Sequence, residues 1–259
     1  MNNKDHLIDL LIHDLSGPIS VVVTSAGNLL KKEDRYGPLT SRQRQSIERI
    51  LRNASKAQSL LTELVEVYRS DEGLFDCRDF QVRDVLKESI VDALEVVEPL
   101  LAGELTFIKR EDAFLRILEE HGIIVECTGR YHDSPFFHDK RKIQLILRNL
   151  ISNALKYRRE KINISVSGDL DLTLSVIDDG PGIPENGQEI VFKRFGYNKG
   201  NTGGGTGETP GLGFGLSCVK ALVKVMGGVI TLQSREGAGT HFTVCVPSHK
   251  STGEKEAEE

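Results

Sequence analysis

The stretch "LRNLISNALKYR", residues 147–158, indicates the fold of the larger part of this 259-residue chain. Four of its polar side chains recur at spacings that place them along one face of a helix: Asn149, Asn153, Lys156 and Tyr157. The apolar residues between them can then face a core. Asparagine is a poor helix former, so two of them in one helix favour a binding role for this face. An amide oxygen can coordinate Mg²⁺ and lysine can neutralise phosphate, although a solvated face fits the same pattern.

The stretch "VIDDGPGIP", residues 176–184, adds a carboxylate and two glycines downstream of that helix. Asp178 ends a predicted strand, and Gly180 and Gly182 allow the backbone to approach a ligand closely. A carboxylate in this position can accept a hydrogen bond from an exocyclic amine such as that of adenine. An ordinary turn has the same composition, so this segment alone does not decide between the two interpretations.

A glycine-rich loop, "GYNKGNTGGGTGETPGLGFGLSCVKALV" at residues 196–223, contains nine glycines between 196 and 215 and then enters a predicted helix. Backbone N–H groups near the start of that helix, around Gly211, Gly213 and Gly215, would hold phosphate groups. A dinucleotide-binding GxGxxG motif should directly follow a hydrophobic strand. Here the preceding residues are polar and the third glycine has a different offset, so that alternative is disfavoured.

The first seventy residues predict two helices joined by a turn at "DRYGPLTSRQ", residues 34–43, with Thr40 or Ser41 as the N-cap of the second helix. In that second helix, apolar residues alternate three and four positions apart from residue 47 to residue 68, which is typical of a helix-bundle seam. A single helical hairpin buries little apolar surface. The pattern therefore predicts that the hairpin dimerises into a four-helix bundle.

One histidine, His13, lies within the apolar helical stretch "LLIHDLSGPIS" at residues 10–20. On a projection of the helix, small and polar residues fall within about 60° of His13: Asp9, Ser16, Gly17, Ser20, Thr24 and Gly27. The apolar residues fall on the far side: Ile8, Leu11, Leu15, Ile19, Val22, Ala26 and Leu29. This position on the polar face weakens the interpretation of His13 as a core residue. Two interpretations remain: His13 has a chemical role, or it is a solvated histidine with no such role.

The order of the remaining elements predicts an α+β protein, in which an N-terminal helical hairpin precedes an α/β sandwich with helices on one face of a mixed sheet. The predicted strands are residues 75–80, 123–127, 162–167, 172–177, 229–234 and 240–246. One predicted helix follows the first strand and ends near residue 98, and two others span 139–157 and 212–226. We expect one domain at 1–72, a second at 73–249 and a disordered charged tail at 250–259. The stretch 99–121 has no functional interpretation at this level.

Composition excludes several classes of protein. The net charge of −5, the absence of tryptophan and an aromatic content of 6% disfavour nucleic-acid binding. Four widely spaced cysteines without a CxxC pair indicate reduced thiols rather than a metal or disulfide framework. No segment is apolar enough to span a bilayer or to open the chain as a signal peptide, so we expect a cytoplasmic protein without a membrane segment.

Taken in order, the motifs resemble the catalytic core of a sensor histidine kinase of two-component signalling. "HDLSGPIS" is similar to the H box of that family, "LRNLISNALKYR" to its N box and "DDGPGIP" to its G1 box. "VFKRFGYNKG" is similar to the F box, "GLGFGL" to the G2 box and "GAGT" to the G3 box. These matches extend over nearly the whole chain, and it is the order of all six that is specific. The resemblance implies a Bergerat-type ATP-binding fold, as in the Hsp90 and gyrase ATPases, after a phosphoacceptor hairpin.

The resemblance also implies residue roles. His13 would be the phosphoacceptor and Asp14 its acid–base partner. Asn153 would bind Mg²⁺, Asn149 and Lys156 would lie near the phosphates of ATP, Tyr157 would lie against the nucleoside, and Asp178 would bind the adenine amine. The glycines would shape the pocket and its lid: Gly180, Gly182, Gly211, Gly213 and Gly215. Phe192, Arg194 and Phe195 would anchor the lid.

The implied function is autophosphorylation of His13 by ATP in a homodimer, followed by transfer of the phosphoryl group to an aspartate in the receiver domain of a response regulator. A nucleotide-binding dimeric scaffold and an ATPase without phosphotransfer are the alternatives. Gly17 stands where the family often has a threonine or asparagine that is tied to dephosphorylation of the partner, so we expect weak phosphatase activity. Asp179 stands where asparagine is common in the G1 box, and we expect that change to be tolerated.

Overall fold

The protein is described by a computed structural model, which covers residues 3–192 and 215–249 and, within these, the side chains from residue 14 onward apart from residues 33 and 71. The chain divides into two compact units, Met1–Tyr68 and Arg69–Glu259. No helix in the described part of the chain is long and apolar enough to cross a membrane. The α+β class predicted from the order of elements is confirmed.

The first unit is a helical hairpin built from α1 (Asn3–Lys31), a short α2 (Glu33–Tyr36) and α3 (Ser41–Asp71). Thr40 is the N-cap of α3 and forms a capping box with Gln43. The backbone N–H of Gln43 donates to the Thr40 hydroxyl at 3.3 Å, and the Thr40 N–H donates to Gln43 Oε1 at 2.9 Å. Between the long helices, the Gln58 amide donates to the Ser20 hydroxyl at 3.3 Å.

The hairpin leaves part of its apolar surface exposed. Ala26 is buried as expected, but Leu15 on the same predicted core face of α1 is 50% exposed. On α3, Ile50 and Leu64 of the predicted seam are 51% and 43% exposed. One hairpin therefore leaves part of the apolar face of α1 and part of the α3 seam uncovered, because two helices cannot cover an apolar stripe of this width.

The second unit has a five-stranded mixed sheet in the order β2-β4-β5-β7-β6 and a separate antiparallel pair of β1 and β3. The strands are β1 (Cys77–Phe80), β2 (Ile123–Cys127), β3 (Phe136–Asp139), β4 (Ile162–Ser167), β5 (Leu172–Asp178), β6 (Val229–Ser234) and β7 (Thr240–Val246). Only β2 and β4 are parallel neighbours; the other pairs are antiparallel. Residues alternate between buried and less buried along β4, β5 and β7, so one face of the sheet carries the core.

The helices of the second unit pack on the sheet and on one another. They are α4 (Val82–Val97), α5 (Pro99–Thr106), α6 (Glu111–Glu120), α7 (Lys140–Tyr157), α8 (Glu185–Gln188) and α9 (Gly215–Val225), with 3₁₀ turns at Arg130–His132 and Ile190–Phe192. Helix α7 packs on the sheet and against α4 and α9. Its apolar positions are buried through most of its length, so the helix that carries the N box is held rigidly against the core.

The stretch 99–121 folds into α5 and α6. Arg158, the C-cap residue of α7, contacts the chain at both ends of this stretch. The Arg158 guanidinium donates to Glu98 Oε1 at 2.6 Å, just before α5, and to the His121 carbonyl oxygen at 2.9 Å, just after α6. The stretch is therefore a compact helical excursion whose base is fixed beside Tyr157.

Strand β3 was not predicted from the sequence, and it places His138 in a buried aromatic environment. The His138 ring is 2% exposed and stacks on Phe136 at a centroid distance of 5.7 Å. Its Nδ1 accepts the backbone N–H of Asp139 at 2.7 Å, so this nitrogen must carry no proton. Burial, with a smaller contribution from His249, lowers the pKa of His138 to about 4.

We expect this histidine to make the second unit sensitive to acid. Between the pKa of about 6.5 in the unfolded chain and about 4 in the folded chain, only the unfolded state binds the proton, so stability falls as pH falls. From pH 7 to pH 5 the loss attributable to this group is about 2 kcal/mol, measurable by urea unfolding at both pH values. His138→Asn should remove that dependence, whereas His121→Gln, at an exposed histidine, should retain it. Equal pH dependence in wild type and His138→Asn would contradict the assignment.

Candidate functional site

The polar face of α7 forms one wall of the candidate site. The Asn149 amide nitrogen donates to the Leu145 carbonyl oxygen at 3.0 Å, which leaves its amide oxygen directed at Gly215 at the start of α9. A Cβ on Gly215 would lie 2.4 Å from Asn149 Oδ1, so a side chain there would displace the Asn149 amide. Asn153 is half-buried, and its amide makes no hydrogen bond with the described residues, so its oxygen is available to a ligand.

The outer end of this face is more exposed. Lys156 and Tyr157 are both on the surface, with Tyr157 50% exposed, and the Lys156 ammonium lies 5.1 Å from the centroid of the Tyr157 ring. An aromatic ring next to an ammonium group suits a ligand with a flat apolar part and an anionic part. The two side chains are thus placed where the end of α7 meets solvent.

Asp178 ends the central strand β5 and is 7% exposed. Its Oδ1 accepts the backbone N–H of Gly180 at 2.9 Å. Burial raises the pKa of Asp178, while hydrogen bonds from the backbone of Gly180 and Thr240 act in the opposite direction. A Cβ on Gly180 would lie 2.4 Å from the Tyr157 carbonyl oxygen. The turn at residues 179–182 that follows β5, called the G1 turn below, therefore packs directly on the end of α7.

Two further glycines hold the opposite side of this turn. Gly182 has a φ of 70°, and a Cβ there would lie 2.0 Å from the Arg235 carbonyl oxygen. Gly239 has a φ of 87°, and a Cβ there would lie 2.0 Å from the Asp178 carbonyl oxygen. Thr240 is the register partner of Asp178 on β7 and is buried. The sequence showed "GAGT" only as a hairpin turn or a G3 box, and did not indicate that Gly239 and Thr240 fix the backbone of Asp178.

Asp179 has a structural role that the sequence did not reveal. Its carboxylate accepts the backbone N–H groups of Arg159, Glu160 and Lys161, at distances of 2.8 to 3.2 Å. Slight burial would raise the pKa of Asp179, but these hydrogen bonds outweigh it and lower the pKa. The side chain therefore joins the loop after α7 to the G1 turn.

Removal of this carboxylate is expected to destabilise the second unit. Asp179→Ala leaves three backbone N–H groups without their acceptor, and after allowance for solvent access the free energy of unfolding should fall by about 1 to 2 kcal/mol at pH 7. Asp171→Ala is the matched control, since this exposed aspartate on the β4–β5 turn makes no such bonds; its effect should stay below about 0.5 kcal/mol. Urea unfolding measures both. Similar losses for the two variants would be evidence against the role of Asp179.

The structure brings together most of the predicted residues of the second unit that it describes. Asn149 meets Gly215, and Tyr157, Asp178, Gly180 and Gly182 share the junction of α7 with the G1 turn. Phe192 packs edge-on against Phe242 at 6.1 Å. Arg194, Phe195, Gly211 and Gly213 lie outside the described residues. In the first unit, His13 lies within α1 but its side chain is not among those described, and Asp14 next to it is exposed.

Known proteins with similar sequences were found for both units. The family described as histidine kinase-, DNA gyrase B-, and HSP90-like ATPase matches residues 138–250. The sensor protein KdpD of Escherichia coli is 28% identical over 94% of this chain and 24% of its own length. The circadian input-output histidine kinase CikA of Thermosynechococcus vestitus is 28% identical over 95% of this chain and 31% of its own length. This chain thus spans less than a third of either relative.

A solved structure has the same fold. Full-length ShkA, crystallised in complex with AMPPNP, superimposes with a TM-score of 0.61 at 20% identity, over 94% of this chain and 46% of that one. In its fold, the order of its motifs and its sequence, the chain is thus similar to the catalytic cores of sensor histidine kinases, and its residues 138–250 match the histidine kinase-, DNA gyrase B-, and HSP90-like ATPase family.

Proposed function

We propose that the chain is an ATP-dependent protein histidine kinase that phosphorylates His13 and passes the phosphoryl group to an aspartate in the receiver domain of a response regulator. The observation that carries this proposal is the junction of α7 with the G1 turn. There a buried carboxylate and three glycines whose backbone neighbours leave no room for a side chain lie at the end of α7, which also carries an amide that makes no hydrogen bond with the described residues. The relative CikA, which is named as a histidine kinase, matches 95% of the chain and so extends over both units.

Asp178 is suited to recognise adenine. An ionised carboxylate only accepts hydrogen bonds, and the exocyclic amine of adenine donates them, whereas guanine carries a carbonyl oxygen at the same ring position. The Gly180 and Thr240 N–H groups orient the carboxylate, which removes the need to order it on binding. This arrangement favours ATP over GTP.

Asn153 and Asn149 are suited to the phosphate end of the nucleotide. The free amide oxygen of Asn153 is a hard oxygen ligand of the kind that Mg²⁺ takes, and Mg²⁺ when bound would neutralise phosphate charge. Asn149 turns its amide oxygen toward the start of α9, whose N-terminal N–H groups suit an anion. Lys156 adds a mobile positive charge at the rim. The Lys156 ammonium and a cation held by Asn153 would lower the repulsion that an attacking nucleophile meets at the γ-phosphate.

The phosphoacceptor step uses only His13 and Asp14. A ring nitrogen of neutral His13 attacks the γ-phosphorus, the N–P bond forms, and the bond from phosphorus to the bridging oxygen of ADP breaks. The imidazole becomes cationic, and Asp14 stabilises or takes the proton on its other ring nitrogen. Transfer then moves the phosphoryl group from His13 to a receiver-domain carboxylate and restores the neutral imidazole.

The exposed apolar side chains of the hairpin support a homodimer. Leu15 and Val22 are seven residues apart on one face of α1 and are 50% and 42% exposed, while Ile50 and Leu64 are exposed on α3. A second hairpin packed on these faces would complete a four-helix bundle and bury them. The proposed homodimer therefore follows from surface that one copy leaves uncovered.

The test is incubation with γ-labelled ATP and Mg²⁺, followed by exposure of the labelled protein to acid and to alkali. Label that is lost in acid and stable in alkali identifies phosphohistidine and supports the kinase. Phosphate release without protein label would indicate an ATPase. Nucleotide binding without either would indicate a scaffold, and both of these outcomes reject the proposal.

A further inference from the structure

A cavity in the second unit is lined by α4, α6, β2 and the 3₁₀ turn Arg130–His132. Its volume is about 320 Å³, and its lining includes none of the residues assigned above to ATP or Mg²⁺. Helix α6 belongs to the helical excursion at 99–121 and supplies one wall. The cavity is thus a feature of that excursion that the proposed kinase reaction does not use.

The floor of the cavity is apolar. Leu86 and Ile90 from α4 and Phe114 from α6 are each at most 3% exposed, and Val125 from β2 completes the lining. The volume is at the lower end of the range for small-molecule sites. At roughly 30 Å³ per heavy atom, it would hold an organic molecule of roughly ten heavy atoms.

One cation is fixed over this floor. The Lys87 ammonium donates to the Ile108 carbonyl oxygen at 2.8 Å and lies 4.8 Å from the centroid of the Phe114 ring. Its side chain is half-buried, and among the residues that the structure describes no carboxylate pairs with it. An ammonium group has three N–H donors, and the carbonyl oxygen and the aromatic ring use only part of this capacity. Binding of an anion would therefore stabilise the partly desolvated charge.

The other charged groups of the lining lie at its outer edge, and two of them, Asp84 and Lys109, are exposed to solvent. The Arg83 guanidinium at the rim is already paired with Glu111 at 3.3 Å, and His132 is paired with Asp133 at 2.9 Å. Burial raises the pKa of the Cys127 thiol, so this group stays neutral beside the floor. Lys87 is therefore the half-buried lysine of the lining, and its ammonium lies over the apolar floor, whereas the Lys109 side chain is exposed.

We propose that this cavity binds a small organic carboxylate with an apolar body, with the carboxylate on Lys87 and the hydrocarbon on Leu86, Ile90 and Phe114. One half-buried ammonium above an apolar floor favours a monoanion, because a doubly charged phosphate would also meet the carboxylates of Asp84 and Glu111 at the edge of the lining. A chain of about eight carbons fills the volume.

The test uses the full chain with octanoate as the probe and 1-octanol as the neutral molecule of matched length. Calorimetric titration should show saturable octanoate binding at low-millimolar concentration or tighter, and octanol should bind at least about tenfold more weakly. Lys87→Met keeps the apolar stem and removes the charge, and it should weaken octanoate binding by about tenfold or more. Lys161→Met, at an exposed lysine outside the cavity, should leave it unchanged.

Methyl NMR of the wild-type chain keeps the proposal testable even if Lys87→Met folds poorly. Octanoate should shift the methyl signals of Ile90 and Val125, and added ATP should not displace it. The proposal would be overturned if octanol bound as tightly as octanoate, or if ATP displaced octanoate. It would also be overturned if folded Lys87→Met bound octanoate with unchanged affinity. So would the absence of saturable binding up to about 20 mM. ATP binding measured in the same samples reports separately on the proposed kinase site.

Discussion

Replacement of His13 by glutamine is expected to abolish incorporation of the γ-phosphoryl group of ATP into the chain, while ATP affinity stays within about twofold of wild type. Glutamine has no nucleophilic ring nitrogen, so no N–P bond can form at this position. The proposed nucleotide site is built from residues of the second unit, on α7, the G1 turn and the start of α9, whereas His13 belongs to the first unit. Labelling by γ-labelled ATP and titration with ATP measure the two quantities on the same preparation.

His6→Gln provides a matched control. His6 precedes His13 by seven residues on α1 and so lies on nearly the same helical face. This variant should label at the wild-type rate. If label persists in His13→Gln and disappears in His6→Gln, the phosphoacceptor assignment is wrong, although the nucleotide site keeps its interpretation. If both variants lose ATP binding, the loss reports on folding.

Much of the second unit could be predicted from local sequence, because its strands alternate and its functional helix has a strong apolar period. Helix α7 was predicted at 139–157 and observed at Lys140–Tyr157, and the six predicted strands are all present with ends within two residues of the prediction. Strand β3 was missed because Phe136–Asp139 is four residues long and has no period-two alternation. Its pairing with β1 depends on a partner almost sixty residues away.

The site was predictable in its residue types and less so in its geometry. Asp178 and the glycines beside it belong to a recognisable motif, but the contacts that fix them come from distant segments. Gly239 packs on the Asp178 carbonyl oxygen from β7's N-terminal turn, and Asp179 binds the backbone at residues 159–161. Such long-range backbone contacts leave no periodic signal in a single sequence, which is why Asp179 was expected only to be tolerated.

Asp178→Asn is expected to lower ATP affinity by about 100-fold and to leave folding stability unchanged or slightly raised. Asparagine has the same shape and can still accept the Gly180 N–H, but its NH₂ group would face the adenine amine donor to donor. The loss of a hydrogen bond to a charged acceptor, with an unpaired donor left behind, accounts for the size of the effect. Stability is not expected to fall, because burial raises the pKa of Asp178. A raised pKa means that ionisation of this carboxyl group costs the folded state stability relative to the unfolded state, and asparagine avoids that cost.

The neighbouring aspartate supplies a control with the opposite signature. Asp179→Ala should lose stability and keep most ATP affinity, because its carboxylate binds the protein backbone and its pKa is lowered in the folded state. ATP titration and urea unfolding of both variants separate recognition from structure. Asp178→Asn should also reduce the preference for ATP over GTP, since an amide NH₂ can donate to the guanine carbonyl oxygen. Retained ATP affinity and an unchanged ATP preference in Asp178→Asn would show that another group recognises the base, and would remove Asp178 from the proposed mechanism.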